Sequence, residues 1–274
     1  MNYQYDLIII GDSKEGHQLV NSIASANLKI KIAFISREFK TSTTRDFLNV
    51  EYLKDEVSLT DYKNRLFGCY LKSGIRLYAT HLVFAVGQKY APFTVNNKKV
   101  PNVFNTVVDV PKEAKKLPAL VLANNTSDIE MALEVSKKYK YVYLCLDDFG
   151  NWISDTLRKK LVLKQAANVV VLPNTHISKI STKDEIFTTI ELDNYSTVTC
   201  AAIYVKTAAS PDTACISPRA CLIKANEAGY LETDDKLEST LVPKCYAAGN
   251  CTQKCTKKML TALTEAILKD FGGN

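Results

Sequence analysis

Residues 5–20 read YDLIIIGDSKEGHQLV, and this stretch constrains the fold more than any other. The apolar run Leu7–Ile10 does not alternate, as expected of a parallel strand covered on both faces. It ends at Gly11; Gly16 follows, and residues 15–26 place Leu19, Val20, Ile23 and Ala24 at helical spacing. A second run, KIAFIS at 31–36, completes a βαβ unit with a glycine turn where a nucleotide phosphate would sit. In such a turn the first glycine permits the tight bend. The second lets the backbone approach the pyrophosphate, and the third allows close helix–strand packing. Gly11 and Gly16 fill the first and third places, and Ser13 fills the second. The serine either crowds the pyrophosphate or hydrogen-bonds to it. Asp12 and Glu15 repel a phosphate unless they point away.

The alternation continues. HLVFAVG (81–87) is another buried strand ending in glycine. A second βαβ unit then begins with the strand LPALVLA (117–123). Its helix is residues 127–139, with Ile129, Ala132, Leu133 and Val135 on one face, and its next strand is YVYLCL (141–146). Further strands are expected at 168–173, 187–192, 201–206 and 244–250, and a closing helix at 257–271 turns Leu260, Leu263, Ile267 and Phe271 inward. Two Rossmann-like units in one chain suggest two nucleotide domains.

Composition narrows the class. A chain of 274 residues with 46% hydrophobic and 23% charged residues suits one large or two modest globular domains. The net charge of +6 is spread along the chain and forms only short clusters, such as Lys137–Lys138 and Lys257–Lys258, which argues against a nucleic-acid partner. No apolar stretch approaches the roughly 20 residues of a membrane span. The start MNYQYD lacks a signal-peptide pattern, so a cytoplasmic protein without a membrane partner is expected. The eight cysteines then read as reduced thiols. His17, His81 and His176 lie far apart and no C-x-x-C occurs, which argues against a metal site.

Four segments, in order, carry a resemblance. They are IIIGDSKEG, LYATHLVFAVGQKYAPF (77–93), LPALVLANNTSDIEMALEVSKKYKYVYLC (117–145) and GYLETDDKLESTLVPKCYAAGNC (229–251), with TAASPDT (207–213) a smaller fifth. Together they resemble the FAD- and NAD(P)-dependent pyridine nucleotide–disulfide oxidoreductase superfamily, in the compact form used by thioredoxin reductases. The resemblance implies an α/β fold of two Rossmann-like nucleotide-binding domains, each with three-layer ββα/βα architecture, the second inserted into the first. An FAD-type domain would comprise 1–110 and 213–274, and an NAD(P)-type domain 111–212.

The resemblance also implies site residues. For FAD these are Gly11, Asp12, Ser13 and Gly16 at the turn, with Ser36 where an acid usually holds the ribose and Glu38 two residues on. Gly87 matches the glycine closing the third segment, with Val86 in place of threonine. Gly249 and Asn250 match a closing Gly-Asp, and Lys257, Lys258 and Met259 fall where the last helix would face the flavin. The NAD(P) turn aligns with Ala123, Asn124 and Asn125, and no glycine lies between Pro118 and Phe149. Leu146, Asp147 and Asp148 stand where arginines would meet a 2′-phosphate, so NAD(P)H binding is not expected. The C-x-x-C is missing from both places where the superfamily carries one. Cys251 and Cys255, before the last helix, are the remaining catalytic candidates, against a reading as ordinary thiols. Phe149 and Trp152 read as packing residues, and His17 as a surface histidine.

Three functions follow. The preferred one is an FAD-containing oxidoreductase without its own dithiol or nicotinamide site, reduced by a redox protein partner or a freely diffusing reductant. The others are a non-catalytic interaction protein on the same scaffold, and an NADH-linked flavoenzyme with a divergent site. A homodimer is expected by analogy with the superfamily alone.

Overall fold

The computed structural model describes residues 2–27, 29–39, 47–108, 111–146, 167–184, 187–194, 196–213, 215–216 and 222–272. The chain groups into two compact units, one of residues 1–89 and 209–274 and one of residues 90–208.

In the first unit, β1 (Asn2–Ile10) leads through α1 (Lys14–Ala26) to β2 (Ile32–Ser36) and β3 (Val50–Lys54). The strands β4 (Val57–Lys63), β5 (Leu66–Leu71) and β6 (Arg76–Phe84) follow. The sheet runs β3-β2-β1-β6-β5-β4, parallel from β3 to β6 and antiparallel beyond. β6 pairs with β1 along its length. Its first half also pairs with β5, and its last residues pair with a late parallel strand at Cys245–Ala247. One face of the sheet is covered by α1 and by the closing helix at Lys257–Asp270, with Leu19, Val20, Ile23, Phe34, Leu260, Leu263 and Ile267 buried between. Each such side chain contributes roughly 1.5–3 kcal/mol on burial. The other face buries Ile8, Ile10, Phe67, Leu82 and Phe84 with Leu222 and Leu231 of the returning chain.

Short strands β7 (Gln88–Tyr90), β8 (Thr94–Val95), β9 (Lys98–Lys99) and β10 (Val103–Phe104) come next. The second unit then builds on β11 (Ala119–Ala123), α2 (Thr126–Ser136), β12 (Val142–Leu146) and β13 (Val169–Pro173). An antiparallel meander follows: β14 (Ile177–Asp184), β15 (Phe187–Leu192) and β16 (Thr197–Cys200). It leads into β17 (Ala202–Tyr204). The parallel sheet β10-β17-β11-β12-β13 carries α2 on one face and the meander on the other. β18 (Ala209–Pro211), β19 (Cys245–Ala247) and α3 (Lys257–Asp270) complete the chain.

The first junction falls at 89/90 rather than near 110, because Val103–Phe104 pairs in parallel with β17 and so belongs to the second sheet. The apolar runs expected as strands are strands. The antiparallel β4 and β5 were not expected, since their burial alternates irregularly along the sequence.

At the far end of α3, His81 is buried against Tyr246 and Phe271, and its Nε2 meets Asp270 at 3.1 Å; Asp270 also pairs with Lys244 at 2.9 Å. Burial lowers the imidazole pKa below its ordinary 6.5, despite the raising effect of Asp270. The neutral ring is thus the native form. Its stabilisation is complete above pH 6.5 and declines as pH falls through the folded value. Thermal midpoints measured from pH 7.5 to 5 should fall more steeply for the native protein than for His81→Gln. Equal slopes would remove His81 from the acid response.

Candidate nucleotide cleft

The turn after β1 is shaped by how closely it approaches the chain leaving β6. Gly11 has φ +108°, and a Cβ there would meet Ala85 O and Val86 Cα at 2.4 Å. At Gly16 a Cβ would lie 2.9 Å from Gly11 O and 3.0 Å from Ala85 Cβ. Ser13 needs no such freedom, since φ −73° and ψ 159° are ordinary extended backbone. It is the N-cap of α1, and its Oγ accepts the Gly16 amide at 3.1 Å. The hydroxyl is therefore turned back onto its own helix, and a cap of this kind is worth about 1 kcal/mol.

The two acids of the turn are turned aside. The Asp12 carboxylate pairs with Nε2 of His17, both side chains largely buried. Glu15 leans over Gly249, where a Cβ would lie 2.6 Å from its Oε2; Gly249 has φ +83°. His17 is not on the surface as expected. It is 8% exposed and packs edge-on against Phe34 at 5.0 Å, drawn in by Asp12.

Above the turn lies a cleft of about 510 Å³ at the carboxyl ends of β1, β2, β3 and β6. This is where open α/β sheets take ligands. Gly11, Asp12, Ser13, Ser36, Glu38 and Gly87, all named from the sequence, line it together. Ser36 Oγ donates to Glu38 O at 2.8 Å and accepts the Glu38 amide at 3.3 Å, which fixes the bend after β2. Gly16 lies buried beneath the turn. Asn250 and Lys258 are exposed and outside the cleft lining, and Met259 packs partly buried into the α1–α3 core.

Sequence reading missed Arg37, Asp55, Glu56, Asp212 and Cys215, which also line the cleft. Asp55 and Glu56 follow the unforeseen β3, and Asp212 belongs to the TAASPDT segment already singled out. Arg37 bridges Glu56 at 3.5 Å and Asp212 at 3.4 Å across the cleft, and Lys72 holds Glu56 at 2.8 Å. Lys72 and Arg37 keep the Glu56 carboxyl below its ordinary pKa, with Lys72 the larger cause.

The fit to an adenine dinucleotide can be tested group by group. The glycine-shaped backbone admits a phosphate at the turn, and the carboxylates nearest it are turned away or paired. Ser36 and Glu38 present acceptors where ribose hydroxyls would lie, and Asp55 and Glu56 stand beyond them. The residues present therefore fit the adenosine end and the turn.

Cys251 does not fit a redox role. It is fully buried, its Sγ donates to Ala248 O at 3.2 Å and Phe84 O at 3.4 Å, and burial pushes its pKa up to about 11. Burial also raises the Cys255 thiol. A nucleophilic pair needs a thiolate, and these environments disfavour one. The described cysteines are all free.

In the second unit, Ala123 ends β11 and Asn125 caps α2, its side chain accepting the Asp128 amide at 3.2 Å. Asp128 is 3% exposed, and its Oδ2 accepts the Asn124 amide at 3.0 Å. Lys206 Nζ stands 3.5 Å from its Oδ1 and also contacts Ser127. Asp147, Asp148, Phe149 and Trp152 lie outside the described residues.

Fold and site together define a protein with two Rossmann-like domains, the first carrying a nucleotide-type cleft. The family profile described as pyridine nucleotide-disulphide oxidoreductase matches residues 17–266, and the chain belongs to that family. The fold is similar to thioredoxin reductase from Lactococcus lactis (14% identity, TM-score 0.67, 98% of both chains). It is likewise similar to that of T. acidophilum (12%, 0.69, 98% of this chain and 99% of the other). It also resembles the HOCl-induced flavoprotein disulfide reductase RclA of Escherichia coli (15%, 0.68, 100% of this chain and 72% of that one). No curated protein matches. Among the described residues no helix is long and apolar enough to cross a membrane.

The glycines grade the demands of the turn. Gly11→Ala is expected to cost the most, through backbone overlap and positive φ together, and Gly16→Ala about 1–3 kcal/mol through overpacking. Gly87→Ala, whose added Cβ meets nothing nearer than 4.0 Å, bears only the strain of its φ of +70° and should cost least, about 1 kcal/mol. Urea midpoints that rank the three otherwise would contradict this account of the turn.

Proposed function

We propose that this chain is a flavin-linked oxidoreductase that holds FAD in its first unit and carries neither a dithiol nor a working nicotinamide site. A redox protein partner reduces it. The observation that carries the reading is the Asp12–His17 pair, which draws the Asp12 carboxylate off the turn that opens on the cleft. Bound there, FAD supplies electron-transfer chemistry that no side chain of the chain provides. Ser36 and Glu38 orient the adenosine ribose, and the turn receives the pyrophosphate. Arg37 is the one cation of the cleft lining among the described residues, and its loose pairs with Glu56 and Asp212 leave it free to re-pair with a ligand oxygen.

The second turn supports the loss of nicotinamide nucleotide binding. The Asp128 carboxylate already sits on the Asn124 amide, where a phosphate would have to lie. Like charges about 4 Å apart repel by about 4 kcal/mol at an effective dielectric of roughly 20. Buried thiols at Cys251 and Cys215, the latter raised to about 12 by burial, support the loss of a dithiol relay.

A second reading, binding without catalysis, is favoured by the position of Asn250 and Lys258 outside the cleft. One experiment separates the two. Purified protein, or protein dialysed against FAD, should carry about one flavin per chain, read from its visible absorbance. Dithionite should bleach it under anaerobic conditions, whereas micromolar NADH or NADPH should not. Colourless protein that takes up no FAD eliminates the flavin assignment, and rapid bleaching by either nucleotide eliminates the partner-reduced form.

A further inference from the structure

The second unit has a cleft of its own, about 400 Å³, at the carboxyl ends of β11, β12 and β17. It is lined by apolar Phe93, Val95, Leu122, Ile177 and Val205 and by uncharged polar groups, among them Thr94, Asn96, Asn124 and Thr175. Among the described residues no lysine, arginine or carboxylate lines it, and the titratable side chains there are the buried Cys145 thiol and His176, whose Nδ1 meets Asp193 at 3.0 Å. Parallel α/β sheets take ligands at this edge, and 400 Å³ is the size of one nucleoside or a comparable small ring system.

We infer that this cleft binds an uncharged, nucleoside-sized ligand and that Asp128, behind its Asn124 wall, bars the phosphorylated forms. Phosphate would need the Asn124 amide, and the buried Asp128 Oδ2 holds that amide at 3.0 Å. Lys206, the cation nearest the turn, is already engaged by Asp128 and Ser127. A flat ring with hydroxyl or amide edges meets no such obstacle. Its faces lie against Phe93, Leu122 and Val205, and its edges meet Thr94, Asn96 and Asn124. An anion at the Asn124 end meets a fixed carboxylate, so selectivity comes from the repulsive element as much as from contacts. The inference rests on reading the second turn as closed to dinucleotide phosphates. It does not depend on flavin in the first unit.

The test is calorimetry on the full chain with adenosine and ADP as probes, with saturating FAD present to occupy the first cleft in protein that accepts it. Adenosine should bind and ADP should bind at least tenfold more weakly. Asp128→Asn, which keeps the shape and removes the charge, should narrow that gap to less than threefold while adenosine affinity holds. Thr94→Trp, a substitution at an exposed hairpin position, fills the cleft mouth and should abolish adenosine binding without lowering the melting temperature. No adenosine binding, equal affinity for ADP in the native chain, or adenosine binding that survives Thr94→Trp would overturn the proposal. If Asp128→Asn does not fold, the ADP ratio of the native chain and the Thr94→Trp result still decide it. Adenosine binding in a chain that takes up no FAD separates failure of the flavin assignment from failure of this one.

Discussion

The first unit depends on one close approach, that of the turn after β1 to the backbone leaving β6. Because β6 pairs with β1 along its whole length, the two strands end together, and Gly11 has to pass Ala85 with no room for a Cβ. The helix that follows is then pressed against the same place, so Gly16 is excluded from carrying a side chain by Gly11 O and Ala85 Cβ. This fixes the direction of α1, and with it the face on which Leu19, Val20 and Ile23 meet α3. The cleft is the space left above that junction.

Two turns of the same type solve the same problem at their helix starts with different charge. The amides at a helix N-terminus need acceptors. In the first unit Ser13 supplies a neutral hydroxyl. In the second, Asn125 caps the helix while Asp128, in its first turn, reaches back to the Asn124 amide. The first arrangement puts no charge at the cap, and the carboxylate of the turn, Asp12, is paired with His17. The second installs a buried carboxylate with Lys206 as its counter-ion. Both give the helix start side-chain acceptors, but the second does so at the cost of a buried carboxylate whose Oδ1 has no hydrogen-bond partner among the described residues.

Much of this was legible because buried parallel strands write themselves as unbroken apolar runs. Leu7–Ile10, Ile32–Ile35, Ala119–Ala123 and Val142–Leu146 announce both sheets, and the glycine spacing announces the first turn. β4 and β5 were not legible, because half-exposed antiparallel strands such as VSLTDYK have no clean period. The acids of the cleft that follow β3 were hidden with them. His17 was misread because its exposure depends on Asp12, five residues earlier and off the helix. No pattern along the sequence states that the two side chains meet. Cys251 stayed open for a related reason: its position before α3 suits either an activated or an ordinary thiol, and only its complete burial, which raises its pKa, favours the second.

Retention of glycines is a poor guide to ligand binding here. Gly11 and Gly16 are demanded by packing whether or not anything occupies the cleft, so their presence speaks for the fold alone. The ligand has to be read from groups that packing does not demand. The Asp12–His17 pair is such a group, since a buried polar pair is often no more stabilising than apolar residues of the same volume. Its effect is to engage the Asp12 carboxylate beside the turn. The acceptors of Ser36 and Glu38 and the loosely held Arg37 belong to the same class. In the second unit the equivalent group, Asp128, acts in the opposite sense and holds a carboxylate on the backbone of the turn. The two units therefore diverge at the residues that packing leaves free: in the first a carboxylate of the turn is taken up by an imidazole, and in the second one is fixed on the turn itself.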